Sequence, residues 1–200
     1  GNVTVVTQAG TSVSGSSTGL GILGDTDGGN VTIFAQGTVV GGIEGATNGA
    51  GTVAITTTGT VTGSQSETVS AVTQSGAIAV NVDGGSVTNT GGQSAILADA
   101  QGAGAVTIAT ASGSTVSTAA TSQPAIFGAT EGGSVAIAAN GAVTGGIKAS
   151  NSGSGAVNVQ VGGADTNANG FAINAQSLQG PNIQVVAGGA AAGLGGVTAF

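Results

Sequence analysis

Short runs of the form aliphatic-x-aliphatic recur along the whole chain, each entered through a Gly-containing turn. They fall at Val3/Val5, Val31/Ile33, Val53/Ile55, Ile78/Val80, Val106/Ile108, Val135/Ile137, Val157/Val159 and Ile183/Val185. Their first members are 28, 22, 25, 28, 29, 22 and 26 residues apart, so the chain holds eight copies of one unit. A second element, small-x-Val, follows at Val13, Val39, Val61, Val87, Val116 and Val143; in the seventh copy Asp165 stands where the Val belongs. A third, small-Ile/Val-x-small, is centred on Ile22, Ile43, Val72, Ile96, Ile126, Ile147, Ile173 and Val197, and only Gln74 departs from its last position.

A period of two sends alternate side chains of each short strand to one face. One copy has three such strands and cannot bury its aliphatics alone. Stacking the copies, so that each strand pairs with its equivalents above and below, closes a continuous Val/Ile column. Each buried aliphatic contributes about 1.5–3 kcal/mol, which over many coils offsets the cost of ordering the chain. The pattern therefore predicts an all-β, right-handed parallel β-helix with three strands per coil; its hand follows from the usual crossover preference. Eight coils at roughly 4.8 Å each make a rod of about 38 Å. Sandwiches and barrels would show hairpin signals every 8–12 residues without a longer period. Asp165 predicts an early turn or a bulge in the seventh coil.

Length variation concentrates between the second and third strands. Copies 2 and 6 are minimal there, and the others carry extra residues around Ser16–Thr18, Ser64–Thr68, Thr90–Ser94, Ser117–Pro124 and Asn167–Asn169. Loops from equivalent corners of a solenoid align along one side, so this Ser/Thr/Gln/Asn ridge is either the place where a ligand would bind or a corner that merely tolerates insertion.

Composition narrows the chemistry. Among 200 residues there are 41 Gly, four aromatics (all Phe), no Cys, His, Met, Trp or Tyr, and a single cation, Lys148. A net charge of −7 with one Lys and no Arg excludes the cationic face that nucleic acid requires and a polybasic membrane contact. The segment from Val185 to Phe200 contains Gly189-x-x-x-Gly193 but is mostly Ala and Gly, and it is short of the roughly 20 residues of a membrane helix. It reads as another coil, and no membrane insertion of this segment is expected.

Without His or Cys there is no Ser-His-Asp, Cys-His or His-based metal constellation. A β-helical polysaccharide lyase or hydrolase is the natural competitor. A hydrolase needs two facing carboxylates, and a lyase needs a strong cation. The acids Asp25, Asp27, Glu44, Glu67, Asp83, Asp99, Glu131 and Asp165 fall mostly in turns or loops, where a solvated charge is the plainer reading. Glu44 and Lys148 occupy the same third-strand position four coils apart, about 19 Å by coil spacing, too far to pair. Asp165-Thr-Asn167-Ala-Asn169-Gly170 resembles the opening of a calcium loop, but Gln176 stands where the bidentate Glu belongs. The outward first-strand row, Thr4, Thr32, Ala54, Ala79, Thr107, Ala136, Asn158 and Gln184, is too broken for a flat ice-binding array. Asn2-Val-Thr4 and Asn30-Val-Thr32 match a glycosylation sequon, but each is also the turn into the repeat. No catalytic, cofactor or metal residue is assigned, and no cofactor is expected.

With segments such as Gly29-Asn30-Val31-Thr32-Ile33, Gly37-Thr38-Val39-Val40-Gly41-Gly42-Ile43 and Gly141-Ala142-Val143-Thr144-Gly145-Gly146-Ile147-Lys148-Ala149, the chain resembles the β-helical passenger regions of bacterial autotransporter surface proteins. It is less similar to filamentous-haemagglutinin-type exoproteins. The resemblance covers all 200 residues and implies export across a Gram-negative outer membrane by a C-terminal β-barrel, display at the cell surface, and adhesion or cell–cell aggregation. The expectation is one β-solenoid segment, 1–200, cut from a longer passenger and acting as a non-catalytic stalk. Expected partners are further copies of the chain, end to end or side by side, or a cell-surface glycan or protein bound through the loop ridge; nucleic acid is not among them.

Overall fold

β-Branched residues alternate with small polar ones in runs of three to five, and Gly, Asn and Asp interrupt each run. Such segments make short strands and tight corners and nothing longer. The computed structural model describes residues 1–15, 19–64, 66–180 and 182–200 and contains strands only. The first strand of each coil is β1 (Val3–Thr7), β4 (Val31–Ala35), β7 (Val53–Thr57), β10 (Ile78–Val82), β13 (Val106–Thr110), β16 (Val135–Ala139), β19 (Val157–Val161) or β22 (Ile183–Ala187). The second is β2 (Ser12–Ser14), β5 (Thr38–Val40), β8 (Thr60–Gly63), β11 (Ser86–Asn89), β14 (Thr115–Thr118), β17 (Ala142–Thr144), β20 (Asp165–Asn167) or β23 (Ala191–Gly193). The third is β3 (Ile22–Thr26), β6 (Ile43–Thr47), β9 (Val69–Thr73), β12 (Ile96–Ala100), β15 (Ile126–Thr130), β18 (Ile147–Asn151), β21 (Ile173–Ser177) or β24 (Val197–Ala199). Each set forms one eight-stranded sheet in which every strand pairs with its counterparts one coil away, and all the pairings are parallel. The chain is a parallel β-helix.

Register follows the aliphatic columns. Ile55 lies between Ile33 and Val80, Val87 between Val61 and Val116, and Ile126 between Ile96 and Ile147. These inward side chains are buried and belong to one continuous core. The outward first-strand row predicted from the sequence is also one ladder, from Thr4 beside Thr32 to Asn158 beside Gln184.

Two expectations are corrected. The third strand of coil 3 presents Val69 and Ala71 inward, with Val69 beside Ile43 and Ile96; Val72 faces outward between Ala46 and Asp99. Two aliphatics three residues apart, Val69 and Val72, both satisfied the motif, and the choice of Val72 made Gln74 an exception that does not exist. Nor does coil 7 bulge at Asp165. β20 stays in register, with Asp165 between Val143 and Ala191, and the side chain is fully buried. The hydrogen-bonded ladder holds the backbone straight, and the carboxyl is carried inward with it.

The corner between third and first strands is built on stacked glycines. At Gly51, Gly76, Gly104, Gly133 and Gly155 an added Cβ would overlap the carbonyl oxygen of the corner glycine one coil earlier. Absence of a side chain is what lets successive corners lie one strand spacing apart. Inside this corner sit buried hydroxyls and amides. Thr130 Oγ1 lies 3.0 Å from the Gly102 carbonyl and 2.8 Å from that of Gly104, and accepts from Gly133 N–H at 3.1 Å. Asn151 Nδ2 donates to the carbonyls of Gly133 and Gly155 at 2.7 and 2.6 Å. At the same corner Asn30 N–H donates to Asn2 Oδ1 and Thr52 N–H to Asn30 Oδ1, each at 2.9 Å. The two sequon asparagines thus tie one coil to the next.

Candidate functional site

Corner lengths decide where the surface departs from a smooth rod. Two residues, Gly41–Gly42 and Gly145–Gly146, join second to third strand in coils 2 and 6, whereas residues 119–125 and 168–172 span that corner in coils 5 and 7. Gly145 and Gly146 take φ of +119° and +84°, a conformation that costs little only for glycine. A Cβ on Gly146 would come within 2.7 Å of both Asn167 Nδ2 and the Phe171 carbonyl. The longer loops of coils 5 and 7 overhang this short corner and leave a cleft.

Two cavities open along it. One, of about 440 Å³, is lined by residues including Thr118, Thr144, Thr166, Asn167, Asn169 and Leu194. The other, of about 290 Å³, is lined by Ser122, Gln123, Lys148, Asn169, Phe171 and Asn174 among others. Asn167 holds the wall between them, since its Nδ2 donates to the Phe171 carbonyl at 2.9 Å and its Oδ1 accepts from Asn169 N–H at 3.1 Å. The Lys148 ammonium stands 4.8 Å from the centroid of the Phe127 ring on the adjacent strand. Among the described residues no carboxylate comes within ion-pair distance of it.

The loop ridge expected from the sequence exists in part. Ser16–Thr18 and Gln65 lie outside the described residues. Several ridge positions turn inward: Thr68 and Ser94 are buried, and Thr68 Oγ1 donates to the Thr88 carbonyl at 3.1 Å. Asn89 Nδ2 donates to the Ser66 carbonyl at 2.6 Å, while its Oδ1 accepts from the N–H groups of Gly91 and Gln93. Thr118 Oγ1 caps the Gln93 carbonyl. These groups fasten the loops, while Ser66, Gln93, Ser122, Gln123 and Asn169 stay exposed.

The acids are dispersed. Glu44 and Lys148 hold equivalent outward positions, separated by β9, β12 and β15, and do not pair. Glu131 lies near enough to Asp99 for its charge to act on it. Burial, and secondarily the Glu131 carboxylate, holds Asp99 above the ordinary carboxylate range. Neither lines the cavities over coil 6. Asp27 Oδ1 accepts from Asn48 Nδ2 at 3.2 Å, a tie between corners. In the calcium-like segment the Asp165 carboxyl lies inside the core, whereas Asn167 and Asn169 close the loop on each other, so the three do not converge. Among the described residues no three acids cluster as a metal site, and no helix is long and apolar enough to cross a membrane.

Burial pushes the Asp165 carboxyl up to about 7, and neither oxygen has a hydrogen-bond partner. Sequence reasoning found the residue but not its placement. It missed the Phe127–Lys148 stack, although the signal was present: each follows its third-strand Ile by one residue, in successive coils.

Compared with known proteins, the chain matches no family model, no curated protein and no solved structure.

Proposed function

We propose that the chain is a length of non-catalytic extracellular scaffold, a stalk of an autotransporter-like surface protein displayed from a bacterial outer membrane, where it supports adhesion or cell–cell aggregation. The observation that carries this reading is the continuous, largely aliphatic core inside three parallel sheets whose outer faces are mostly small and polar. Such a body transmits position along its axis and meets partners through surface shape. The scattered acids, with none lining the cleft over coil 6, favour a scaffold over a polysaccharide-acting enzyme.

The test is display of residues 1–200 on a Gram-negative cell, fused to an outer-membrane β-barrel. The expected result is a protease-accessible surface product and faster settling or firmer attachment of the cells. Unchanged settling and attachment by cells that do display it, or depolymerisation of a polysaccharide by the purified chain, would overturn the reading.

A further inference from the structure

We propose that the cleft over the two-glycine corner of coil 6 binds a carboxylate-bearing sugar residue of an acidic glycan, with Lys148 as the anchor for the carboxylate. The inference deepens the adhesive reading by naming a ligand class and a place, and it stands or falls separately from surface display.

Charge is the first reason. The chain carries one cation against eight acids, and that cation lines the smaller cavity while no Asp or Glu lines either one. A carboxylate approaching the rod is repelled nearly everywhere else and attracted here. The Phe127 face holds the ammonium in place without neutralising it, so a charge-assisted hydrogen bond remains to be made.

Shape and neighbouring chemistry are the second. The Lys148 cavity is about 290 Å³, near the lower end of the roughly 300–1,000 Å³ usual for small-ligand sites. Its walls offer the carboxamides of Gln123, Asn169 and Asn174 and the hydroxyl of Ser122, with Phe171 43% exposed at the edge. Amides that both donate and accept suit vicinal sugar hydroxyls, and an exposed ring suits the C–H face of a pyranose. Asn174 Oδ1 is buried without a partner beside the cavity. The adjoining cavity of about 440 Å³ gives the next sugar of a chain somewhere to lie.

A second minimal coil supplies the control. Coil 2 repeats the Gly-Gly corner, with φ of +102° and +94°, but carries Glu44 where coil 6 carries Lys148 and Leu23 where coil 5 carries Phe127. The corner geometry is common to both, and the anion-attracting chemistry belongs to coil 6 alone.

Titration of the full chain with trigalacturonate, its methyl ester and acetate, followed by amide chemical shifts, tests the proposal. The expected result is saturable binding of the acidic trimer, at least tenfold weaker ester and acetate, shifts confined to residues around 119–125, 145–148 and 167–174, and weakening with salt. Lys148→Gln should weaken the acid at least tenfold with an unchanged thermal midpoint, and Phe171→Ala should weaken acid and ester alike. The proposal is overturned by no saturation at millimolar trimer, by equal binding of the ester, by acetate binding as tightly as the sugar, or by full retention of binding in Lys148→Gln. If binding holds but displayed cells do not adhere, the adhesive reading fails and the site stands.

Discussion

Coils 3–6 and coils 7–8 are written in the same strand pattern and are sealed to different degrees. In the middle of the rod Ile55, Ile96, Ile126 and Ile147 are at most 1% exposed. In coil 7 the sheet made of the second strands turns a carboxyl into the core, and in coil 8 Val197 is 45% and Leu194 83% exposed. The first strand of coil 8 is no worse as a strand, since β22 holds full register with β19. The difference is that a solenoid buries a side chain with its neighbours above and below, so burial depends on adjacent coils as much as on a coil's own residues.

Truncation of the aliphatic column should give the widest contrast. Ile126→Ala is expected to cost about 2–5 kcal/mol of stability, read as a lower denaturant midpoint. Val197→Ala, at the equivalent position two steps beyond β18, should cost well under ~1 kcal/mol because nearly half of that side chain already meets solvent. Equal losses would show that the last coil is as tightly closed as the middle.

Asp165 gives the contrast a pH dependence. Its folded-state pKa, raised to about 7 from 3.8, means that the folded chain holds a proton which the unfolded chain has released. Stability is therefore greatest below about pH 4, falls as pH rises towards 7, and is flat above, a decline of up to roughly 4 kcal/mol. Among the described residues no other charged side chain is buried in the core, so none there offsets this. Asp165→Asn should flatten most of the slope and leave a remnant from Asp99, whose shift has the same sign. Amide exchange should place the pH-sensitive opening in coils 7–8 while coils 3–6 stay protected. A slope unchanged by Asp165→Asn would remove the carboxyl as its cause.

The glycine corner comes next. Gly104→Ala puts a methyl group against the Gly76 carbonyl, a backbone obstacle that cannot rotate away, at an expected cost of about 1–3 kcal/mol. Gly188→Ala meets nothing nearer than the Val161 carbonyl at 3.6 Å and should change the midpoint by less than ~0.5 kcal/mol.

How far the sequence shows this architecture depends on which residues are read. Period-two aliphatics place seven of the eight third strands correctly, because Ile22, Ile43 and their successors have no rival within their own strand. Coil 3 fails where Val69 and Val72 compete; Thr73, in line with Thr47 at the corner, marks the true frame, but a search for aliphatics passes over a buried Thr. Asp165 is visible as an exception, yet its polarity suggests a turn, and only the ladder on both sides shows that the strand continues. The cleft is harder still. It arises from a short corner between two long ones and from Phe127 beside Lys148, so it exists only once three successive coils are laid in register.

The smallest effect concerns the polar interior of the third corner. Thr130 and Ser177 hold equivalent places one residue beyond outward-facing side chains, on β15 and β21. Thr130 serves the Gly102 and Gly104 carbonyls and the Gly133 N–H, all within a buried corner. Ser177 Oγ accepts from Gly180 N–H, at 3.0 Å, in a partly open one. Thr130→Val preserves the side-chain shape and removes those hydrogen bonds, so its cost should be about 0.5–1.5 kcal/mol. Water can replace the hydroxyl of Ser177, and Ser177→Ala should cost a few tenths of that. Both are measurable as shifts in urea midpoint at unchanged slope. If the two losses were equal, the middle and the end of the rod would differ in their aliphatic packing and not in how they satisfy their backbone.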